Sequence, residues 1–231
     1  YIRAGAMVIT ANTFSTARHV LESIDLAREV KTINTEAVKL AQIARDNAAK
    51  EETWIAGSIS SMAPLNSLIE VASGEKVADN YVELAEILAE AGVDLIIVEM
   101  MRDIENAKLV IKAALSVGLP VWIGYSAMMS ENRKSVHAWY WKNKLPTSGF
   151  DELVESISTL GGDAAGIMHS QVRDTAPALE ILDRYWSGPK LAYAETGELE
   201  KPDWNFKEIC PPEEYATEIE SWINNYGVQI V

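Results

Sequence analysis

A chain of 231 residues can bury roughly 70–75% of its unfolded surface, so one large α/β domain fits as well as two small ones. With 34 acidic and 20 basic residues its net charge is −14, and no basic cluster follows any strand, which argues against nucleic acid as a partner. The single cysteine, Cys210, rules out an internal disulfide and fits a reducing, cytoplasmic compartment, and no apolar run approaches the ~20 residues of a membrane-spanning helix.

In chain order, residues 1–5 (YIRAG) read as the tail of a helix, and AMVITAN as a strand ending in Asn12, Thr13 and Phe14. Helical segments follow over about 15–30 and 34–50, the second with Val38, Ala41, Ile43 and Ala44 at mixed three- and four-residue spacing and Asn34 with Thr35 as its cap. A strand over 53–59 ends in Ser58 and Ser60, and a loop rich in Ser and Pro runs to about Ala72. The clearest helix covers 77–91, with Val77, Tyr81, Leu84, Leu88 and Ala91 on one stripe.

GVDLIIVEMMRD follows. A glycine, a short aliphatic run and then Glu99 read as a buried parallel strand that ends in a carboxylate. The same grammar returns at Gly118, Gly162, Gly188 and Gly227, with each glycine expected as a left-handed helix cap. Gly92 to Gly118 and Gly162 to Gly188 are equal in length, the mark of a repeated βα unit. Between them come a helix over 103–117, a strand over 120–125 and a long irregular insertion over about 126–149, rich in Trp and Lys. A helix over 150–160 and a strand over 163–168 deliver His169, Ser170 and Gln171. Asp174 is expected to cap a helix through Tyr185, and Leu191 to Ala194 forms a strand ending in Glu195. After a polar loop with Trp204, Pro211-Pro212-Glu213-Glu214 starts a helix to Asn225, and residues 228–231 begin a last strand.

Seven strands in strict alternation with helices argue a parallel sheet covered by helices. Ligands of such sheets bind at the carboxyl ends of the strands, which makes Glu99 a site candidate. The plainer role for Glu99 is pairing with Arg102 or a backbone group. Ser58 and Asn12 are loop caps or ligand contacts, and His169 bonds a neighbour such as Ser170 or Glu195. His19 and His137 receive no role, and Trp139-Tyr140-Trp141 reads as packing of the insertion onto the barrel in preference to a substrate lid.

Tyr1-Ile2-Arg3-Ala4-Gly5-Ala6 running into Ile9-Thr10-Ala11-Asn12-Thr13-Phe14 resembles the "Y…AGA…I.TNTF" signature of the homocysteine S-methyltransferase family. Ala56-Gly57-Ser58-Ile59 is similar to that family's "AGSIGP", with Ser60 where a second glycine is usual, and Ala91 to Glu99 to its "AGVDLI…ET". YAETGE, at 193–198, is similar to "YPNSGE", and Trp204 with 212–222 and 229–231 resembles the segment leading to the last strand.

The resemblance implies a (β/α)8 TIM barrel over 1–231 as one domain. A first βα unit before Tyr1 and a closing helix after Val231 then lie outside the chain. It implies transfer of a methyl group from a small donor to homocysteine or a similar thiol, as in methionine biosynthesis. Glu99 would hold the substrate's amino group, and Asn12, Thr13 and Ser58 would line the same mouth. It also implies zinc, held by three cysteines, to make the thiolate. Here the chain departs from the pattern: His169 stands at the first cysteine position and Met168 at the preceding asparagine, Cys210 matches no zinc position, and the sequence stops where the other two cysteines are expected. His169 is a legal zinc ligand and is the metal candidate. The alternative is a divergent barrel without the zinc-thiolate site that binds or converts another small amino-acid-like molecule, with Glu99 and His169 as an acid–base pair. A scaffold that only binds a metabolite is a third reading. The methyl donor is not legible, and a homo-oligomer is neither required nor opposed.

Overall fold

The computed structural model describes residues 1–61, 75–140, 148–200 and 205–231. The fold is mixed α/β, and it falls into two compact units, one of Tyr1–Glu99 with Glu105–Trp122, the other of Met100–Ile104 with Ile123–Val231. Among the described residues no helix is long and apolar enough to cross a membrane. All seven expected strands form.

In the first unit β1 (Val8–Thr10) pairs in parallel with β2 (Trp54–Ser60), and β2 with β3 (Leu95–Met101), where Ser60 stands opposite Glu99. The start of β4 (Val121–Tyr125) follows β3 in the sheet order. Alternate residues of β2 serve its two neighbours. Ile55 C=O accepts from Asp94 N–H at 2.8 Å on the β3 side, while Trp54 N–H donates to Met7 C=O and Ala56 C=O accepts from Ala11 N–H, each at 2.8 Å, on the β1 side. Because β1 ends at Thr10 and β2 runs on to Ser60, the last β1-facing groups of β2 need a partner from elsewhere.

Of the stripe expected on α3 (Glu75–Ala91), Val77, Tyr81, Leu84 and Leu88 are buried and Ala91 is half-buried, and α4 (Ile104–Leu115) buries Ala107, Val110 and Ile111. The expected helix over 15–30 is instead a single turn, α1 (Arg18–Glu22), followed by a 3₁₀ turn, Ala27–Glu29. Next, α2 (Val30–Ala48) starts four residues before Asn34. Asn34 is no cap: it is fully buried, its amide donates to Val30 C=O and Thr16 C=O, and its carbonyl accepts the Thr16 hydroxyl. Of the stripe expected on α2 only Val38 is fully buried, and Ile43 is 47% exposed. Most of the Ser/Pro loop before α3 lies outside the described residues.

His19, on α1, sits edge-on to buried Tyr81 with ring centroids 5.2 Å apart, and its Nδ1 has no hydrogen-bond partner among the described residues. Burial lowers its pKa below 6.5, opposed by the charge of Glu22. An unfolded chain then binds a proton that the folded chain refuses, so stability is expected to fall as pH drops through and below 6.5. His19→Phe keeps the edge-on contact and removes the titration. Urea unfolding of the two proteins between pH 7.5 and pH 5 should show a slope that the variant loses, and equal slopes would refute the assignment.

In the second unit the order is β4, β7 (Ala164–Gln171), β8 (Lys190–Glu195) and β11 (Val228–Ile230), with β8 parallel to both β7 and β11. Gly166 faces Leu191 across the β7–β8 ladder so closely that a Cβ there would lie 1.8 Å from the Leu191 carbonyl oxygen. Phe150, Leu153, Val154 and Ile157 of α5 (Phe150–Ser158) pack with Ala178, Leu179 and Leu182 of α6 (Val172–Leu182) in the core. Trp222 of α7 (Pro212–Tyr226) is fully buried against Tyr215.

The insertion is not wholly irregular. It contains an antiparallel hairpin, β5 (Ala127–Met129) with β6 (Val136–Ala138), and the Arg102 guanidinium lies 5.4 Å from the centre of the Trp139 ring. Trp141 and Trp204 lie outside the described residues. A second short hairpin joins β9 (Glu198–Glu200) to β10 (Asn205–Lys207).

Helix α6 begins two residues before Asp174, which is a first-turn acid instead of the cap and is ion-paired with Arg133 at 3.2 Å. Pro177 inside this helix cannot donate to the carbonyl of Arg173, and Arg133 Nη2 does so in its place at 3.0 Å. Of the five expected glycine caps, Gly92, Gly118, Gly162 and Gly227 have positive φ. Gly188 does not, and it is instead packed against the Trp186 ring.

Candidate functional site

Three of the four residues expected at the substrate mouth, Thr13, Ser58 and Glu99, come together in the first unit near the carboxyl ends of its strands. Glu99, the fifth residue of β3, is only 6% exposed. The Ser58 hydroxyl on β2 donates to Glu99 Oε1 at 2.5 Å, and Ser58 is itself 1% exposed. Thr13 has no exposed surface, and its hydroxyl both accepts from Ser58 N–H at 2.9 Å and donates to Ser58 C=O at 2.8 Å. A carboxylate taken this far out of water is costly unless it is hydrogen-bonded or meets a cation. Ser58 contributes one such hydrogen bond, and a carboxylate at a strand end is the kind of acceptor that an ammonium group can meet.

Asn12, by contrast, is exposed. It borders an open, largely apolar cleft of about 1060 Å³ that is lined also by Ile9, Phe14, Leu40 and Ala44. Arg102, the alternative partner considered for Glu99, lies against Trp139, and burial lowers its pKa against the opposing charge of Asp103.

His169 is placed in the second unit. The β7–β8 register shifts between Met168, opposite Tyr193, and Gln171, opposite Glu195, so β7 carries an extra residue there. Within this bulge His169 adopts φ 47°, a conformation that a non-glycine residue holds only when its surroundings enforce it. Its Nδ1 lies 3.3 Å from Glu195 Oε1, one of the two neighbours foreseen for it. The other, Ser170, is spent on the fold: its hydroxyl donates to Met168 C=O at 3.0 Å and accepts from Ala127 N–H at 2.9 Å. Buried Ser126, absent from the expected site residues, stands at the end of β4 by the same strand-end grammar. Its hydroxyl reaches Met168 C=O at 3.0 Å and Met100 Sδ at 3.1 Å.

A family model described as homocysteine S-methyltransferase matches residues 1–231. The chain belongs to that family. Its fold is similar to that of the homocysteine methyltransferase MmuM from Escherichia coli. The oxidized form of that protein is 18% identical with a TM-score of 0.74, the match covering 100% of this chain and 75% of that one. The metallated form is 16% identical with a TM-score of 0.68, and the apo form 17% identical with a TM-score of 0.55, each match covering 99% of this chain and 74% of the other. Methyl transfer to homocysteine is the activity that membership of the homocysteine S-methyltransferase family supports for this chain.

The metal expected of a homocysteine S-methyltransferase does not fit the donors found here. Among the described residues no group of three or more His, Cys, Asp or Glu side chains could hold a metal ion, whereas a catalytic zinc takes three protein ligands. His169 and Glu195 make two. Cys210 lies in the loop before α7, where partial burial and the charges of Glu214 and Glu218 push its thiol pKa up, the wrong direction for a metal-ready thiolate.

Proposed function

We propose that this homocysteine S-methyltransferase relative, a barrel of the TIM type, holds the ammonium group of homocysteine on Glu99 while the substrate sulfur takes a methyl group from a small donor. In the reaction a sulfur–carbon bond forms, the donor's bond to the methyl carbon breaks, and the thiol proton is given up before or during the attack. The observation that carries the reading is the buried Glu99 carboxylate, held by the Ser58 hydroxyl at the carboxyl end of a parallel strand. Fixing the amino group orients the sulfur, and such positioning supplies much of the rate of a bimolecular transfer. Asn12, exposed beside these residues in sequence, is assigned to the substrate's carboxylate side or to the donor.

The test is direct. The purified chain is titrated with L-homocysteine by calorimetry and then incubated with L-homocysteine and a panel of sulfonium and quaternary-ammonium methyl donors, with methionine read by mass spectrometry. Binding together with methionine formation supports the proposal. Absence of both sinks it.

The His169–Glu195 pair carries a second reading by itself. An imidazole whose Nδ1 is held by a carboxylate is set up for proton transfer through the other nitrogen, which suits acid–base chemistry on a small amino-acid-like molecule. Amino-acid binding without methionine formation, and turnover of another amino acid that His169→Gln abolishes, would favour that reading.

A further inference from the structure

We infer that Thr13 is a positioning residue: it touches no substrate, and instead sets the backbone of Ser58 so that the Ser58 hydroxyl can hold Glu99. The inference rests on the reading of Glu99 as the substrate anchor and reassigns Thr13 within that site.

Trp54, Ala56 and Ser58 turn their backbone groups toward β1, and the first two find backbone partners in Met7 and Ala11. At Ser58 there is no β1 left to pair with, since that strand ends at Thr10. A buried N–H and C=O would be orphaned there. The Thr13 hydroxyl replaces the missing strand. One oxygen accepts from Ser58 N–H at 2.9 Å and, with its proton, donates to Ser58 C=O at 2.8 Å.

Thr13 is held in turn. Its N–H donates to Ala11 C=O at 2.8 Å, and its C=O accepts the Thr16 hydroxyl at 2.9 Å. With its donor and one lone pair committed and no exposed surface, Thr13 has no means of meeting a ligand. Its influence on the carboxylate passes through Ser58 alone.

The experiment measures L-homocysteine binding by calorimetry, with thermal unfolding in parallel, for Thr13→Val, Thr13→Ser, Ser58→Ala, the Thr13→Val/Ser58→Ala double variant and Glu99→Gln. Thr13→Val is nearly isosteric and lacks the hydroxyl, and is expected to weaken binding roughly tenfold, the size of about one lost hydrogen bond. Thr13→Ser keeps the hydroxyl and should bind within about twofold of the parent. In the Ser58→Ala background the link to Glu99 is already cut, so adding Thr13→Val should weaken binding no further. If Thr13→Val does not fold, Thr13→Cys, whose thiol is a weak donor and acceptor, takes its place with a smaller loss expected.

Full additivity of Thr13→Val and Ser58→Ala would overturn the inference in favour of a direct Thr13 contact. Loss of thermal stability with unchanged binding would overturn it in favour of a purely structural role. If Glu99→Gln binds like the parent, the anchor reading itself has failed. If Glu99→Gln loses binding while Thr13→Val does not, only the role of Thr13 has failed.

Discussion

Glu99→Gln is expected to raise the dissociation constant for L-homocysteine about a hundredfold, close to 2.7 kcal/mol, while leaving the affinity for the methyl donor within about twofold. The side chain keeps its size and can still accept from the Ser58 hydroxyl, so the change isolates the charge. A buried carboxylate that faces an ammonium group binds it through a charge-assisted hydrogen bond, roughly twice as strong as the neutral one an amide offers. Stability should move the other way. At a position only 6% exposed, an uncharged isostere of the same size carries no cost of burying a charge. Glu99→Gln is therefore expected to be as stable as the parent or more stable by about 1 kcal/mol. Weaker substrate binding in a protein of undiminished stability separates a ligand anchor from a structural acid. Unchanged homocysteine affinity would remove Glu99 from the site.

Gly166→Ala is expected to cost about 3 kcal/mol or more of folding stability, read as a fall of roughly 10 °C in Tm for a protein of this size. The added Cβ would meet the Leu191 carbonyl oxygen at 1.8 Å and its carbon at 2.5 Å, and backbone cannot rotate away as a side chain can. The only relief is to push β7 and β8 apart, which breaks the ladder from Ala165 to Met168 and disturbs the His169–Glu195 pair beyond it. A drop of less than about 2 °C would show that the two strands tolerate separation and that the close approach does not constrain the fold.

Six of the seven strands were legible as short apolar runs with a glycine or proline in front, and β2, which follows residues 50–53 without either, by its own apolar run, a pattern that burial on both faces demands. The β5–β6 hairpin was not, since each strand has three residues and the turn between them is polar, so no alternation is long enough to register. Sequence pattern places the start of α2 late because Asn34 has the chemistry of a cap. Its real partners, Thr16 and Val30, become visible only when distant chain is folded against it. The same holds for the site. Strand-end position pointed to Glu99, the resemblance added Ser58, and the bond between them reaches two residues out of register, since Ser60 is the residue opposite Glu99. Thr13 was placed in the mouth by resemblance, but nothing local reveals that its hydroxyl stands in for a strand. The imidazole–carboxylate pair was foreseen as a pairing, whereas the bulge and the positive φ that present His169 depend on how β7 and β8 fall out of step.

Arg133 ties the tip of an exposed turn to a helix whose own ladder a proline has interrupted: it holds Asp174 and fills the vacancy at Arg173 with one guanidinium. Length in this turn is consequently not free to drift. An added or deleted residue between Ser130 and Ser135 would carry the cation away from both acceptors at once, so this short surface segment should resist grafting and trimming in a way its polar composition does not advertise.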